Sequence, residues 1–92
     1  MTSRTVTICN QLGMHARAAA RFVHLASAFA SHIRVARGQK VMDGKSILGI
    51  LLLAAGQGAM VTISAEGADE AAAVRALADL VESGFGEVPC SA

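Results

Sequence analysis

A chain of 92 residues has room for one domain built on a single modest core. A net charge of +1 and only three aromatic residues, all Phe, supply neither the basic footprint nor the stacking platform that nucleic-acid binding needs. The apolar content of 53% fits a compact chain, and its longest uncharged apolar stretch, Ile47 to Met60, is broken by Gly49, Gly56 and Gly58 and falls short of the about 20 residues of a membrane span.

The opening "MTSRTVTICN" has no apolar run of the kind a secretory signal carries. Within it, "TVTIC" alternates polar and apolar residues, which predicts a half-buried strand over Thr5 to Cys9. "NQLG" interrupts that pattern. From Ala16 to about Ala30, Ala19, Phe22, Val23, Ala26 and Phe29 recur at helical spacing. "HIRVAR" alternates again with Ile33 and Val35 on one face, "RGQK" supplies a hairpin turn, and "KVM" a short partner strand. Ser46 opens a second helix that runs to about Ala54 or Ala55, and "GQG" breaks it. "AMVTISA" is a further strand, with Val61 and Ile63 facing one way. Acidic residues in "EGADE" suit the positive end of a last helix, which carries a Val74, Leu77, Leu80 and Val81 stripe and stops at Gly84. The order is βαββαβα, an α+β sandwich of one sheet covered on one face by three helices. Residues 1–88 are expected to form one domain and residues 89–92 a flexible tail. Cys9 and Cys90 suit neither a disulfide framework nor a zinc site, and reduced thiols in a cytoplasmic protein are the expectation.

His15 falls at or next to the cap of the first helix, where Ser, Thr, Asn or Asp would stabilise better. The unpaired N–H groups of a first helical turn favour a neutral, nucleophilic ring, and they also stabilise an anion built onto it. Arg17, two residues on, can add a charge-assisted contact, and Gly13 allows close backbone approach. The chemistry that fits is a phosphoryl group held covalently on His15 and then surrendered. No partner acid, no Ser or Cys nucleophile beside a base and no metal-ligand spacing accompanies it, so neither a metal nor a cofactor is expected. His24, inside the helix, and His32, at a strand start, read as surface residues.

The "GKS" at Gly44 to Ser46 is not a phosphate-binding loop of the nucleotide type, because position 39 is Gln where that motif needs Gly and the flanking elements are too short. Ser46 serves instead as a helix cap at which a phosphate could be added without unfolding anything. With about 100° of rotation per residue, Ile50, Leu53, Gly49 and Ala54 share one side of the second helix and Ile47, Leu48, Leu51 and Leu52 the other. A sheet covered on one face can bury only one side of this helix, which leaves Ile47, Leu48 and Leu51 as a partner-binding patch.

"GMHARAAARF", "GKSILGILLLAAGQG" and "LADLVESGFGE" resemble the histidine-containing phosphocarrier (HPr) family of the bacterial phosphoenolpyruvate-dependent phosphotransferase system, over roughly Thr5 to Glu87. The resemblance implies an open-faced β-sandwich with a four-stranded antiparallel sheet. It implies that His15 accepts a phosphoryl group at Nδ1 from phosphorylated enzyme I and passes it to an enzyme IIA histidine, with Arg17 assisting. It further implies regulatory phosphorylation of Ser46 by an HPr kinase, and docking of partners on Ala20, Arg21, Ile47, Leu48 and Leu51. Such a carrier is a cytoplasmic monomer with no turnover alone and no membrane insertion. The family often reads H-A-R-P, whereas position 18 here is Ala, whose N–H could donate to a phosphate. The "DGKSILGILLLAAGQG" stretch resembles nitrogen-branch carriers somewhat more than sugar-transport ones. The competing reading is a non-catalytic regulator that acts by docking through the patch, with Ser46 as its switch; such a protein has no use for a nucleophile at a helix start.

Overall fold

The computed structural model describes residues 1–86. Its elements are β1 (Thr2–Thr7), α1 (Ala16–Ala26), β2 (His32–Arg37), β3 (Lys40–Asp43), α2 (Ile47–Leu52), β4 (Met60–Glu66) and α3 (Glu70–Glu82), followed by a 3-10 turn at Gly84–Gly86. The four strands form one sheet in the order β1-β4-β2-β3, antiparallel at every pairing. This is the expected open-faced α+β sandwich. Because β1 and β2 both run antiparallel to β4, they are parallel to each other, and α1 is the crossover between them.

The alternating strands bury the residues their pattern marks. Ile33, Val35, Val61 and Ile63 are all at most 1% exposed, packed beneath Phe22 of α1 and Leu77 and Val81 of α3. Each large apolar side chain so buried contributes about 1.5–3 kcal/mol. The many alanines serve close packing: Ala18, Ala19 and Ala26 of α1 and Ala73 and Ala78 of α3 have no exposed surface.

Several element boundaries differ from the sequence expectation, three of them for a tertiary reason that the structure shows. β1 spans Thr2–Thr7 rather than Thr5 to Cys9. Thr2 and Arg4, the helix-facing partners of buried Val6, are polar; they bind α3 through Glu70 at 2.6 Å and Glu82 at 2.8 Å, so no apolar alternation announces this half of the strand. α1 stops at Ala26 rather than Ala30. There the Asp69 carboxylate takes the amides of Ala30 and Ser31 (2.8 and 2.9 Å) and the Ser31 hydroxyl, and the Lys45 ammonium takes the Phe29 carbonyl at 2.7 Å. α2 stops at Leu52, and Ala54 turns left-handed at φ 52°. Lys40 and Arg37 of the β2–β3 hairpin collect the carbonyls of Leu52, Leu53 and Ala54, which complements the negative end of the helix.

The acids before α3 also do more than face a dipole. Asp69 makes no side-chain cap bond to its own helix. Its carboxyl is held below the usual carboxylate range first by the Ser31 hydroxyl and then by the Ala30 amide. The Glu70 carboxyl is lowered first by the Thr2 hydroxyl and then by the chain's N-terminal ammonium.

Cys9 departs from the expected reduced thiol: it is disulfide-bonded. Its Sγ lies 3.6 Å from the carbonyl oxygens of both Val81 and Glu82, so the fold sets the end of β1 against the end of α3. Cys90 and the expected tail over 89–92 lie outside the described residues.

Candidate functional site

The site begins with two turns stitched together. In the β1–α1 turn, Asn10 holds Gly13 at both ends: its Nδ2 donates to the Gly13 carbonyl at 2.9 Å, and the Gly13 amide donates to the Asn10 carbonyl at 3.1 Å. Gly13 adopts φ +64°, and a Cβ there would sit 2.6 Å from the Ala55 carbonyl oxygen and 2.8 Å from the Gly56 Cα. The close approach that glycine permits is therefore to the α2–β4 turn. The Met14 amide completes the stitch by donating to the Ala55 carbonyl at 2.9 Å, and Gln57 Nε2 donates to the Cys9 carbonyl at 3.1 Å.

This frame delivers His15 to the N-cap of α1 with extended backbone (φ −75°, ψ −179°). Its carbonyl accepts the first helical bond, from the Ala19 amide at 2.8 Å. Its ring does what a Ser or Asp side chain would do: Nδ1 accepts from the Arg17 amide at 3.3 Å. An Nδ1 that accepts carries a lone pair, and this one is directed at the helix N-terminus. The bond is long for N–H donation, so releasing that lone pair costs little. The ring is half-buried and the Arg17 side chain exposed, while Ala18 packs its methyl fully into the core. Of the first-turn N–H groups expected to face the ring, the Arg17 amide is the one that bonds it.

The remaining site residues lie on a pair of antiparallel helices. Met14, just before α1, bonds to Ala55, just after α2, and Phe29, just after α1, bonds to Lys45, just before α2. Ser46 therefore sits at the far end of the pair from His15. It caps α2 as expected, its Oγ accepting from the Gly49 amide at 3.0 Å. Between the two ends, Ile47, Leu48 and Leu51 are 46, 67 and 37% exposed, whereas Ile50 and Leu53 are fully buried, in agreement with the helical rotation. Leu52 is exposed with the patch, and Ala54, assigned to the inner side, is exposed beyond the helix end. Ala20 is exposed on α1. Arg21 is exposed too, but its Nη1 donates to the Phe85 carbonyl, which ties α1 to the 3-10 turn after α3. Leu12 is 69% exposed in the turn before His15, and nothing in its local sequence pattern separates it from a core leucine. His24 and His32 are exposed, as expected. Among the described residues no helix is long and apolar enough to cross a membrane.

A protein-family model described as the PTS HPr component phosphorylation site matches residues 2–83. The phosphocarrier protein HPr of Neisseria meningitidis serogroup A is 44% identical over 87 residues, covering 95% of this chain and 98% of that protein. The phosphocarrier protein NPr of Shewanella violacea is also 44% identical, over 84 residues, covering 91% and 92% respectively. The crystal structure of an HPr from Thermoanaerobacter tengcongensis superposes with a TM-score of 0.91 at 50% identity, covering 95% of this chain and 98% of that one.

Proposed function

Because the chain belongs to the HPr family of phosphotransferase-system phosphocarriers, we propose that its phosphoryl group is carried on Nδ1 of His15. The observation that carries this reading is the Nδ1 lone pair held against the Arg17 amide at the N-terminus of α1. The donor is phosphorylated enzyme I, charged from phosphoenolpyruvate. The Nδ1 lone pair attacks phosphorus in line as the N–P bond on the enzyme I histidine breaks and its electron pair returns to that ring. The amide of Arg17, released from Nδ1, then donates to a phosphoryl oxygen, and the first-turn N–H of Ala18 is a second donor in reach of the same group. The exposed Arg17 guanidinium offsets the charge of the transferring group. Delivery to an enzyme IIA histidine reverses these steps. An N–P bond is exchanged for a similar one at each stage, so the protein has no turnover of its own.

Partners dock on the strip of Ala20, Ile47, Leu48 and Leu51, with Arg21 at its border. Phosphorylation of Ser46 by an HPr kinase would add about two negative charges beside Ile47 and Leu48, which weakens docking without touching His15. Residues 1–88 act as one carrier domain, monomeric and cytoplasmic.

Phosphorus NMR of the protein incubated with phosphoenolpyruvate, magnesium and enzyme I tests the assignment, beside the His15→Ala variant. An acid-labile phosphohistidine resonance in the first and none in the second is expected. No resonance with an enzyme I shown to be active on another carrier overturns it.

A further inference from the structure

We propose that Asn10 is a positioning residue for His15: its buried side-chain amide fixes the Gly13–Met14 peptide and thereby the direction in which the ring presents Nδ1. Asn10 and Ser31 are the polar residues buried among the described residues, at 2% and 1% exposure. Ser31 is buried against Asp69, which takes its amide and its hydroxyl. Asn10 is buried beside the glycine that leads into the site, and its Nδ2 donates to the Gly13 carbonyl at 2.9 Å. Taking an amide side chain out of water costs stability unless it gains such a bond, and an apolar residue would pack there without that cost. The bond is what an asparagine adds at this position.

What the bond fixes follows from covalent geometry. The Gly13–Met14 peptide unit is planar, and both of its polar ends are held, the carbonyl by Asn10 and the N–H by the Ala55 carbonyl at 2.9 Å. Two bonds at opposite ends stop the plane from turning about its own axis. The clamp matters because the unit starts at a glycine. A Cβ at Gly13 would meet the Ala55 carbonyl oxygen at 2.6 Å, and φ is +64°, so the close approach requires glycine, whose backbone also turns most freely. Asn10 takes back that freedom. Met14 is seated in the core, and the next Cα is that of His15. With the clamp closed, the ring meets the Arg17 amide through Nδ1. With it open, the ring samples other directions and the other tautomer.

This hold on the ring is independent of what His15 does; its consequence for transfer rests on the phosphocarrier reading above. In-line transfer needs Nδ1 aimed at phosphorus, and a misplacement of about 1 Å costs such a step up to about a hundredfold. Asn10 itself is too buried to touch a partner, so docking on Ala20, Ile47, Leu48 and Leu51 is unaffected.

The test uses Asn10→Leu, which keeps the shape of the side chain and deletes the donor, with Asn10→Ala as a second variant. Val35→Ala, a loss of buried surface on β2, controls for stability alone. Nitrogen NMR of the labelled His15 ring reads which nitrogen carries the proton. Steady-state transfer from phosphorylated enzyme I reads the limiting rate and the half-saturating carrier concentration. The parent and Val35→Ala are expected to keep the proton of the neutral ring on Nε2. Both Asn10 variants are expected to mix tautomers and to lower the limiting rate about tenfold or more at an unchanged half-saturating concentration. A smaller folded fraction alone would instead raise that concentration and leave the limiting rate. A parental tautomer or a parental limiting rate in both Asn10 variants, or the same ring change in Val35→Ala, overturns the proposal. A parent that accepts no phosphoryl group overturns the phosphocarrier reading instead, and the ring tautomers then decide the role of Asn10.

Discussion

The amide of Arg17 donates to Nδ1 of His15 across 3.3 Å, so the nitrogen proposed as the phosphoryl acceptor is also the cap of α1. One lone pair does both jobs. When it forms a bond to phosphorus the helix loses its ring cap, and the phosphoryl oxygens arrive where that cap had been. Capping by His15 thus preorganises the first turn for the anion that replaces it.

Replacement of His15 separates the two jobs. His15→Ala is expected to abolish phosphoryl acceptance and to cost about 0.5–1 kcal/mol of stability, the low end of a lost cap, because the bond is long. His15→Asn abolishes acceptance equally but keeps a good cap, so its urea midpoint should stay with the parent's. Equal destabilisation of both variants would remove the capping role.

Arg17 contributes through two different groups. Arg17→Ala deletes the exposed guanidinium and leaves the amide, so stability should hold within about 0.5 kcal/mol while transfer from enzyme I slows about tenfold or more. Stopped-flow or rapid-quench transfer with both partners measures this. An unchanged rate assigns the stabilisation of the phosphoryl group to backbone donors alone.

Ser46 offers a similar separation. Ser46→Ala loses the bond to the Gly49 amide and should cost about 1 kcal/mol. Ser46→Asp retains a capping oxygen and adds charge beside Ile47 and Leu48, so it should stay near parental stability while binding enzyme I more weakly. Calorimetric titration reads the affinity, and equal values for parent and Ser46→Asp would dispose of the switch.

Gly13 is the position least tolerant of a methyl group. A Cβ there meets the Ala55 carbonyl at 2.6 Å, backbone against backbone, at a φ of +64°. Gly13→Ala should destabilise by about 2 kcal/mol or more and displace the Met14 amide from Ala55. Gly38 has φ +60° with nothing near its missing Cβ, so Gly38→Ala should cost less, about 1 kcal/mol. Chemical denaturation ranks the pair, and an equal cost would show that the stitched turns give way.

Acid should undo the tie between Asp69 and the α1–β2 loop. The Asp69 carboxyl is lowered on folding, chiefly by the Ser31 hydroxyl, so ionised Asp69 stabilises the native state above its usual range. That contribution disappears as pH falls from about 4 through the folded-state value. Glu70 acts with the same sign. Urea midpoints measured from neutral pH to about pH 2 should fall for the parent, whereas Asp69→Asn should start lower and decline less. Parallel curves would free Asp69 of this role.

The sequence by itself determined the element order, the buried faces and the place of His15 at the start of α1. Ile33 with Val35, Val61 with Ile63, and Val74 with Leu77 are spaced by local backbone geometry, and a period of two or of 3.6 residues is visible within one short window. The exposed side of α2 followed from the same geometry, since a one-sided sheet cannot bury both Ile50 and Leu48. Only the tertiary structure decided what depends on residues far apart along the chain. Arg4 pairs with Glu82, the Arg21 guanidinium donates to the Phe85 carbonyl, and Asp69, one of the acids expected to face the α3 dipole, takes the amides of Ala30 and Ser31. Their energies come from pairing polar groups across the fold, and such pairing leaves no periodic trace in sequence. The same holds for Cys9, whose Sγ lies beside the Val81 and Glu82 carbonyls only because α3 comes to rest along β1.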